Sequence, residues 1–171
     1  MRPIDRKKAN FPRPDTNRYL VAEAECNFEG VADETIKFIE EFQLTDAKQW
    51  ERFVEQYHIL ADGDDRGWRG EYWGKMMRGA CFVYSYTKHE DLYNILTHTV
   101  TEMVKSSEED GRLSTYPREQ EFTGWDLWCR KYIMLGMQYY LEICKDENLA
   151  ESIVANMCGQ ADYIISSLPL K

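Results

Sequence analysis

No stretch of this chain stays apolar long enough to suggest a membrane span. The greasiest segment, GWDLWCRKYIMLGMQYYLEIC from Gly124 to Cys144, is interrupted by Asp126, Arg130, Lys131 and Glu142, whereas a span needs roughly 18 unbroken apolar residues. Nothing alternates at period two and no hairpin signal occurs, so strands are not expected. A basic-then-apolar start is also missing, so no signal peptide is visible and a cytoplasmic location is only the default. Histidine is scarce: His58, His89 and His98 are the three, and none has a second histidine at i+3 or i+4. The five cysteines (26, 81, 129, 144 and 158) are odd in number and form no CxxC or Cys/His cluster. This speaks against a zinc site and a disulfide framework and for reduced, buried thiols. Positive charge is in deficit as well. With 21 Lys and Arg against 30 Asp and Glu, the net charge of −9 repels phosphate backbones and excludes nucleic acid as a partner. A neutral ligand such as a carbohydrate is unaffected by it.

What the chain does have is helical periodicity and aromatic residues. Five Trp and eleven Tyr either fill a large core or line a stacking site. At 171 residues one domain, or part of one, is expected. Residues 1–30 show no helical period and hold Pro3, Pro12 and Pro14 among charges, so an irregular arm is expected there. Residues 31–171 read as a helical part, a series of helices joined by links. Ala32 to Phe42 places Ile36, Ile39 and Phe42 on one side. Thr45 offers an N-cap for a second helix whose buried stripe is Trp50, Phe53, Val54 and Tyr57. Further helices follow at 69–86, 91–104, 124–144 and 148–166, with a loop at 108–123. The class is all-α. The segment 124–144 is apolar on nearly every side, the mark of a helix surrounded by other helices.

The links between helices have a rhythm. Short polar turns follow the third and fifth helices, and long links (61–68 and 107–124) precede them. Antiparallel helical hairpins laid side by side, with the long loops together on one face, would produce this alternation. The helices after the long links open RGEYWGK and GWDLWCRK, each with an acid, a tryptophan and a base close together. Glu71 and Trp73 with Lys75, preceded by Trp68 and Arg69, are candidates for one wall of a ligand site. Trp125, Asp126, Trp128 and Arg130 are candidates for the next. A carboxylate and a guanidinium beside an indole can hold a sugar ring by hydrogen bonds and stacking. The plainer alternative is helix-start chemistry, with Glu71 and Asp126 favouring the dipole and the tryptophans in the core. Glu71 and Asp126 are also the one pair whose context suggests the facing carboxylates of glycoside hydrolysis. Glu119 and Glu121, in the long loop, read as solvated. Cys129 lies next to Arg130 near a helix start, where its pKa could be lowered; a buried bystander is the simpler role.

Three motifs in order resemble a known family. Arg69 to Lys75 with Gly79-Ala80 and Tyr84 to Thr87, then Asp110-Gly111-Arg112-Leu113-Ser114-Thr115-Tyr116, then Gly124 to Tyr132 with Leu135-Gly136 and Tyr139-Tyr140, are similar to segments of the β-L-arabinofuranosidase-like glycoside hydrolases. The likeness covers residues 66–147. It implies a toroid of six α/α hairpins around a sugar pocket and activity on arabinofuranose-type or related glycosides. In the best-known branch a zinc-bound cysteine thiolate is the nucleophile and a glutamate assists. Those groups come from segments after the motifs found here, so no cofactor and no catalytic residue is expected in this chain. What carries over is pocket walls: Glu71, Trp73, Trp125, Asp126, Trp128 and Arg130. One departure is visible, in that Arg130-Lys131 stands where many members show His-Glu. The count of helices fits about half of such a toroid, so the chain is expected to be the helical part of an incomplete catalytic domain. Such a part would be inactive alone and would self-associate through its exposed inner helices. A helical binding or scaffold module with an aromatic-rich ligand surface is the alternative.

Overall fold

A computed structural model describes residues 27–62 and 69–168. Six α-helices and no strand occur among them: α1 (Val31–Ile39), α2 (Ala47–Ile59), α3 (Arg69–Thr87), α4 (Glu90–Lys105), α5 (Asp126–Leu141) and α6 (Glu147–Ser167). The all-α class therefore stands. Most of the expected N-terminal arm, with Cys26, lies outside the described residues, as do residues 63–68 of the first long link, Trp68 included.

Two local expectations are corrected. α1 runs on into a π-helical turn, Glu40–Leu44. That wider turn shifts the register of the side chains behind it. Leu44 enters the core while Phe42 is turned out, at 65% exposed. The cap of α2 is Asp46, whose carboxylate accepts from the backbone N–H groups of Lys48 and Gln49. Thr45 instead closes the preceding turn, its hydroxyl donating to the Glu41 carbonyl at 2.8 Å. α2 ends as expected before the acidic Asp62 segment, with Leu60 in a left-handed conformation at φ 51°.

α3 and α5 make the most extensive helix contact in the fold. They run in the same direction: Gly70 meets Cys129, Gly74 meets Tyr132, and Phe82 meets Tyr139. The sequence permits this approach at one place in particular. A Cβ on Gly74 would lie 2.0 Å from the Tyr132 carbonyl oxygen, and one on Gly136 would lie 3.0 Å from Gly74 Cα. Only hydrogen fits at both positions.

α2, α4 and α6 run the opposite way and back this pair. Tyr57 of α2 reaches Gly70, Trp73 of α3 donates its indole N–H to Thr99 of α4 at 3.0 Å, and Gln160 of α6 meets Met137 of α5. Between the layers lies the core, built on the expected periodicities: Trp50 on α2, Trp73 and Met77 on α3, Leu92 and Leu96 on α4, and Ile133 on α5 are all at most 1% exposed. Burial of each such side chain contributes about 1.5–3 kcal/mol. α5 is less enclosed than its apolar sequence suggests. Its Leu127 and Trp128 are each 41% exposed, on a side that the helices packed against it among the described residues, α3, α4 and α6, leave open.

Candidate functional site

Because α3 and α5 are parallel, their N-terminal ends lie together, and the link between α4 and α5 folds onto that end. The link begins with a turn at Asp110-Gly111. Gly111 has φ 87°, and a Cβ there would meet the Gly159 carbonyl oxygen of α6 at 2.4 Å, so the loop backbone lies directly against that helix. The chain then buries five successive residues, Arg112 to Tyr116. A buried loop must find partners for its polar groups. Asp62 N–H donates to the Thr115 carbonyl, Tyr116 N–H to Ser114 Oγ, and Trp125 N–H to the Tyr116 hydroxyl.

The loop is locked to α5 by a buried ionic frame. Arg112, 1% exposed, donates from Nη1 to Glu108 at 2.6 Å and from Nε to Glu121 Oε1 at 2.5 Å. Its third nitrogen bonds the Tyr116 carbonyl. The same Glu121 oxygen accepts from Arg130 Nη2 at 2.6 Å, and its other oxygen accepts from the Tyr163 hydroxyl of α6 at 2.7 Å. Arg130 in turn holds both Asp126 oxygens from Nε, at 3.0 and 3.1 Å. Asp126 also accepts from Ser114 Oγ at 2.5 Å and from Phe122 N–H at 2.9 Å. The guanidinium of Arg130 lies between the rings of Phe122 and Tyr163, 5.0 and 5.4 Å from their centroids. Two arginines and two carboxylates thus balance where the frame is driest, which is how buried charge is tolerated. Towards solvent the frame continues through Glu108 to Arg118 and Asp110.

The six candidate wall residues divide. Trp73, Asp126 and Arg130 are at most 1% exposed, and Glu71 is 7% exposed and paired with Lys75 one turn along. Apart from Arg130 Nη1, their polar groups are engaged inside the protein, so they shape the end of the helix pair and do not form its surface. Asp126 has both oxygens filled by Arg130, Ser114 and Phe122, which makes it a structural acceptor. The two opening motifs therefore share an acid–base pair one turn apart, Glu71–Lys75 and Asp126–Arg130, while their tryptophans part company. Trp73 is in the core. Trp128 is on the surface.

Trp125 and Trp128 form the exposed portion. They are 40% and 41% exposed, with centroids 6.1 Å apart and planes at 69°. Tyr132 follows, 5.3 Å from Trp128 and also edge-on. Lys131 Nζ lies 3.5 Å from the Trp128 centroid and 3.8 Å from that of Tyr132. Such a stepped array offers apolar ring faces beside hydrogen-bond donors, which suits a flat, hydroxylated ligand.

Three other polar atoms, Tyr57 Oη, Thr115 Oγ1 and Arg130 Nη1, are buried in this part of the molecule without a hydrogen-bond partner. Each costs about 1–3 kcal/mol, and such costs concentrate at functional ends of folds. Cys129 lies beneath. Its thiol is pushed up to about 11, chiefly by burial, with a smaller opposing effect from the Glu71 backbone. The thiolate-lowering option therefore fails, because burial outweighs the Glu71 backbone and the Arg130 guanidinium is committed to Asp126 and Glu121. Glu121 is a second correction. Its side chain is 7% exposed and bridges two arginines, where a solvated loop residue was expected. A run of charges in a loop gives no sign that partners 9 residues away on each side will close over it.

Elsewhere His58 and His98 share a shallow groove of about 260 Å³ with Glu51, Val54, Glu55 and Glu102, between α2 and α4. No group of three or more His, Cys, Asp or Glu side chains is placed to hold a metal among the described residues. No helix of the described residues is long and apolar enough to cross a membrane. No family model, curated protein or solved structure matches the chain.

Proposed function

We propose that this chain supplies part of the sugar pocket of a glycoside hydrolase of α/α-toroid architecture, acting on arabinofuranose-type or related glycosides, and that it does not turn over substrate by itself. The exposed Trp125–Trp128 pair at the N-terminal end of the parallel helices carries this reading. The loop that bears the Asp110 to Tyr116 motif is fixed against the same end by Arg112, Glu121 and Arg130. One layer of parallel helices backed by a second, antiparallel layer is the arrangement that successive hairpins of a toroid require. In this scheme Trp125 and Trp128 stack on sugar. Glu71, Trp73, Asp126 and Arg130 act as positioning residues, holding the wall in shape from behind.

The reading is tested by titrating the protein with arabino-oligosaccharides while following tryptophan fluorescence. Saturable quenching that disappears in Trp125→Ala and Trp128→Ala is expected; absence of any response to a panel of neutral oligosaccharides would overturn it. The second reading, a self-contained helical binding module, draws support from the occupied state of Asp126, which leaves no obvious acid or base. Thermal melting separates the two. Part of a ring should unfold broadly, whereas an independent module should unfold in one sharp step.

A further inference from the structure

The aromatic surface carries a cation that a neutral sugar does not need. Lys37, Lys75, Lys105 and Lys145 each pair with a carboxylate. Lys131 has no carboxylate partner among the described residues and is held instead by the rings of Trp128 and Tyr132. Its neighbours one turn before and after, Leu127, Trp128, Met134 and Leu135, offer no acid. Lys75 also lies over Tyr132, 5.1 Å from its centroid, but Glu71 matches its charge. Two ammonium groups thus share one ring against one carboxylate. This local surplus of positive charge occurs on a chain whose net charge is −9.

Contact with two rings restricts an otherwise freely rotating four-carbon stem, so the charge is presented in a fixed place. The ring of Trp128 that Lys131 covers also neighbours the 40% exposed indole of Trp125, with centroids 6.1 Å apart, so the ammonium and the second indole flank the same ring.

The geometry points to a sugar acid, a hexuronate unit with one carboxylate on its ring, as the ligand of this surface. The carboxylate pairs with Lys131 Nζ while the ring face lies on Trp125. A neutral sugar gains the stacking alone. A polyanion gains the ion pair but meets the acidic remainder of the protein. The inference rests on the carbohydrate reading and sharpens its substrate class.

The test is calorimetric titration of the full chain with methyl α-D-galacturonide, which carries one carboxylate, the neutral methyl α-D-galactoside and dextran sulfate, at low and high ionic strength. The uronate should bind about tenfold more tightly than the neutral sugar at low salt, a modest preference that one partly exposed charge pair can supply. That preference should vanish at high salt and in Lys131→Gln, and persist in Lys131→Arg. Trp125→Ala should weaken both sugars. Equal binding of the two sugars overturns this inference and leaves the carbohydrate reading standing. Binding of neither overturns both. Binding of dextran sulfate that needs Lys131 but ignores Trp125→Ala overturns the inference too, because the surface would then be a general anion patch. Both substituted residues are exposed, and unchanged circular dichroism confirms that the variants are folded.

Discussion

Arg130 and Asp126 lie one turn apart on α5, each 1% exposed, with the guanidinium Nε 3.0 and 3.1 Å from the two carboxylate oxygens. The pair joins the start of α5 to the loop before it, because Asp126 also takes Ser114 and Phe122 while Arg130 also takes Glu121. Removing one member strands the other. Arg130→Met should therefore lower stability by about 3–5 kcal/mol, read as a fall in the denaturation midpoint. The double variant Asp126→Asn with Arg130→Met should recover part of that loss, since no bare charge remains. If the double variant is as unstable as the sum of its single variants, the pair is not coupled.

Glycine substitutions on α3 should have opposite signs. At Gly74 a methyl group would meet the Tyr132 carbonyl oxygen at 2.0 Å, a backbone atom that cannot move aside cheaply. Gly74→Ala should separate α3 from α5 and destabilise the protein by more than an ordinary surface change, above about 2 kcal/mol. At Gly79 nothing lies within 4 Å of the added carbon. Gly79→Ala should stabilise by about 0.5–1 kcal/mol through helix propensity. Equal effects in urea denaturation would show the parallel contact to be looser than described.

The thiols give a prediction in pH. Cys129 is raised from 9.0 to about 11 and Cys81 from 9.0 to about 12, both by burial. A raised thiol pKa means that folding favours the protonated form. The associated stability is complete below about pH 9, where the unfolded thiols remain protonated, and is lost as pH rises through the folded values. Alkylation at pH 8 followed by peptide mass spectrometry should label exposed Cys158 and leave Cys81 and Cys129 intact until the protein unfolds. Labelling of Cys129 as fast as Cys158 would contradict its burial.

The acid limit should respond to the outer part of the frame. Burial alone would raise Glu108 and Asp110, but hydrogen bonds and charges from Arg112 and Arg118 to Glu108, and from the Arg112 backbone and Arg118 to Asp110, outweigh it and hold both below their ordinary values. Lowered carboxylates stabilise the fold above their unfolded pKa and lose that contribution as pH falls through the folded one. Arg118→Gln should therefore flatten the dependence of the melting temperature on pH below about 4.5. An unchanged slope would argue that Arg118 is not engaged in solution.

α3 and α5 present Tyr72, Phe82, Leu127 and Trp128 at 41–55% exposure. A surface of this kind favours association, so sedimentation should show a mass that rises with protein concentration. Phe82→Ser should reduce the effect. A monomer at all concentrations, with no binding of a hydrophobic dye, would count against a face made for burial by further helices.

The sequence by itself determined the all-α class, the helix bounds to within a few residues and most of the core, because three- and four-residue spacing of large apolar side chains is a local property. Trp50, Trp73, Leu96 and Ile133 are where that spacing places them. Tertiary structure alone decided which of two similar tryptophans would face water. Trp73 and Trp128 follow their acidic residues at the same spacing, yet one is sealed by α4 through Thr99 and the other is left open with Lys131. It also decided that Glu121 would be the hub of a buried frame, because its partners Arg112 and Arg130 come from opposite sides of the loop and meet it only after the chain has folded back. Periodicity reports which face of a helix is apolar. What covers that face, and which charges are brought together above it, depends on contacts between segments that local pattern does not encode.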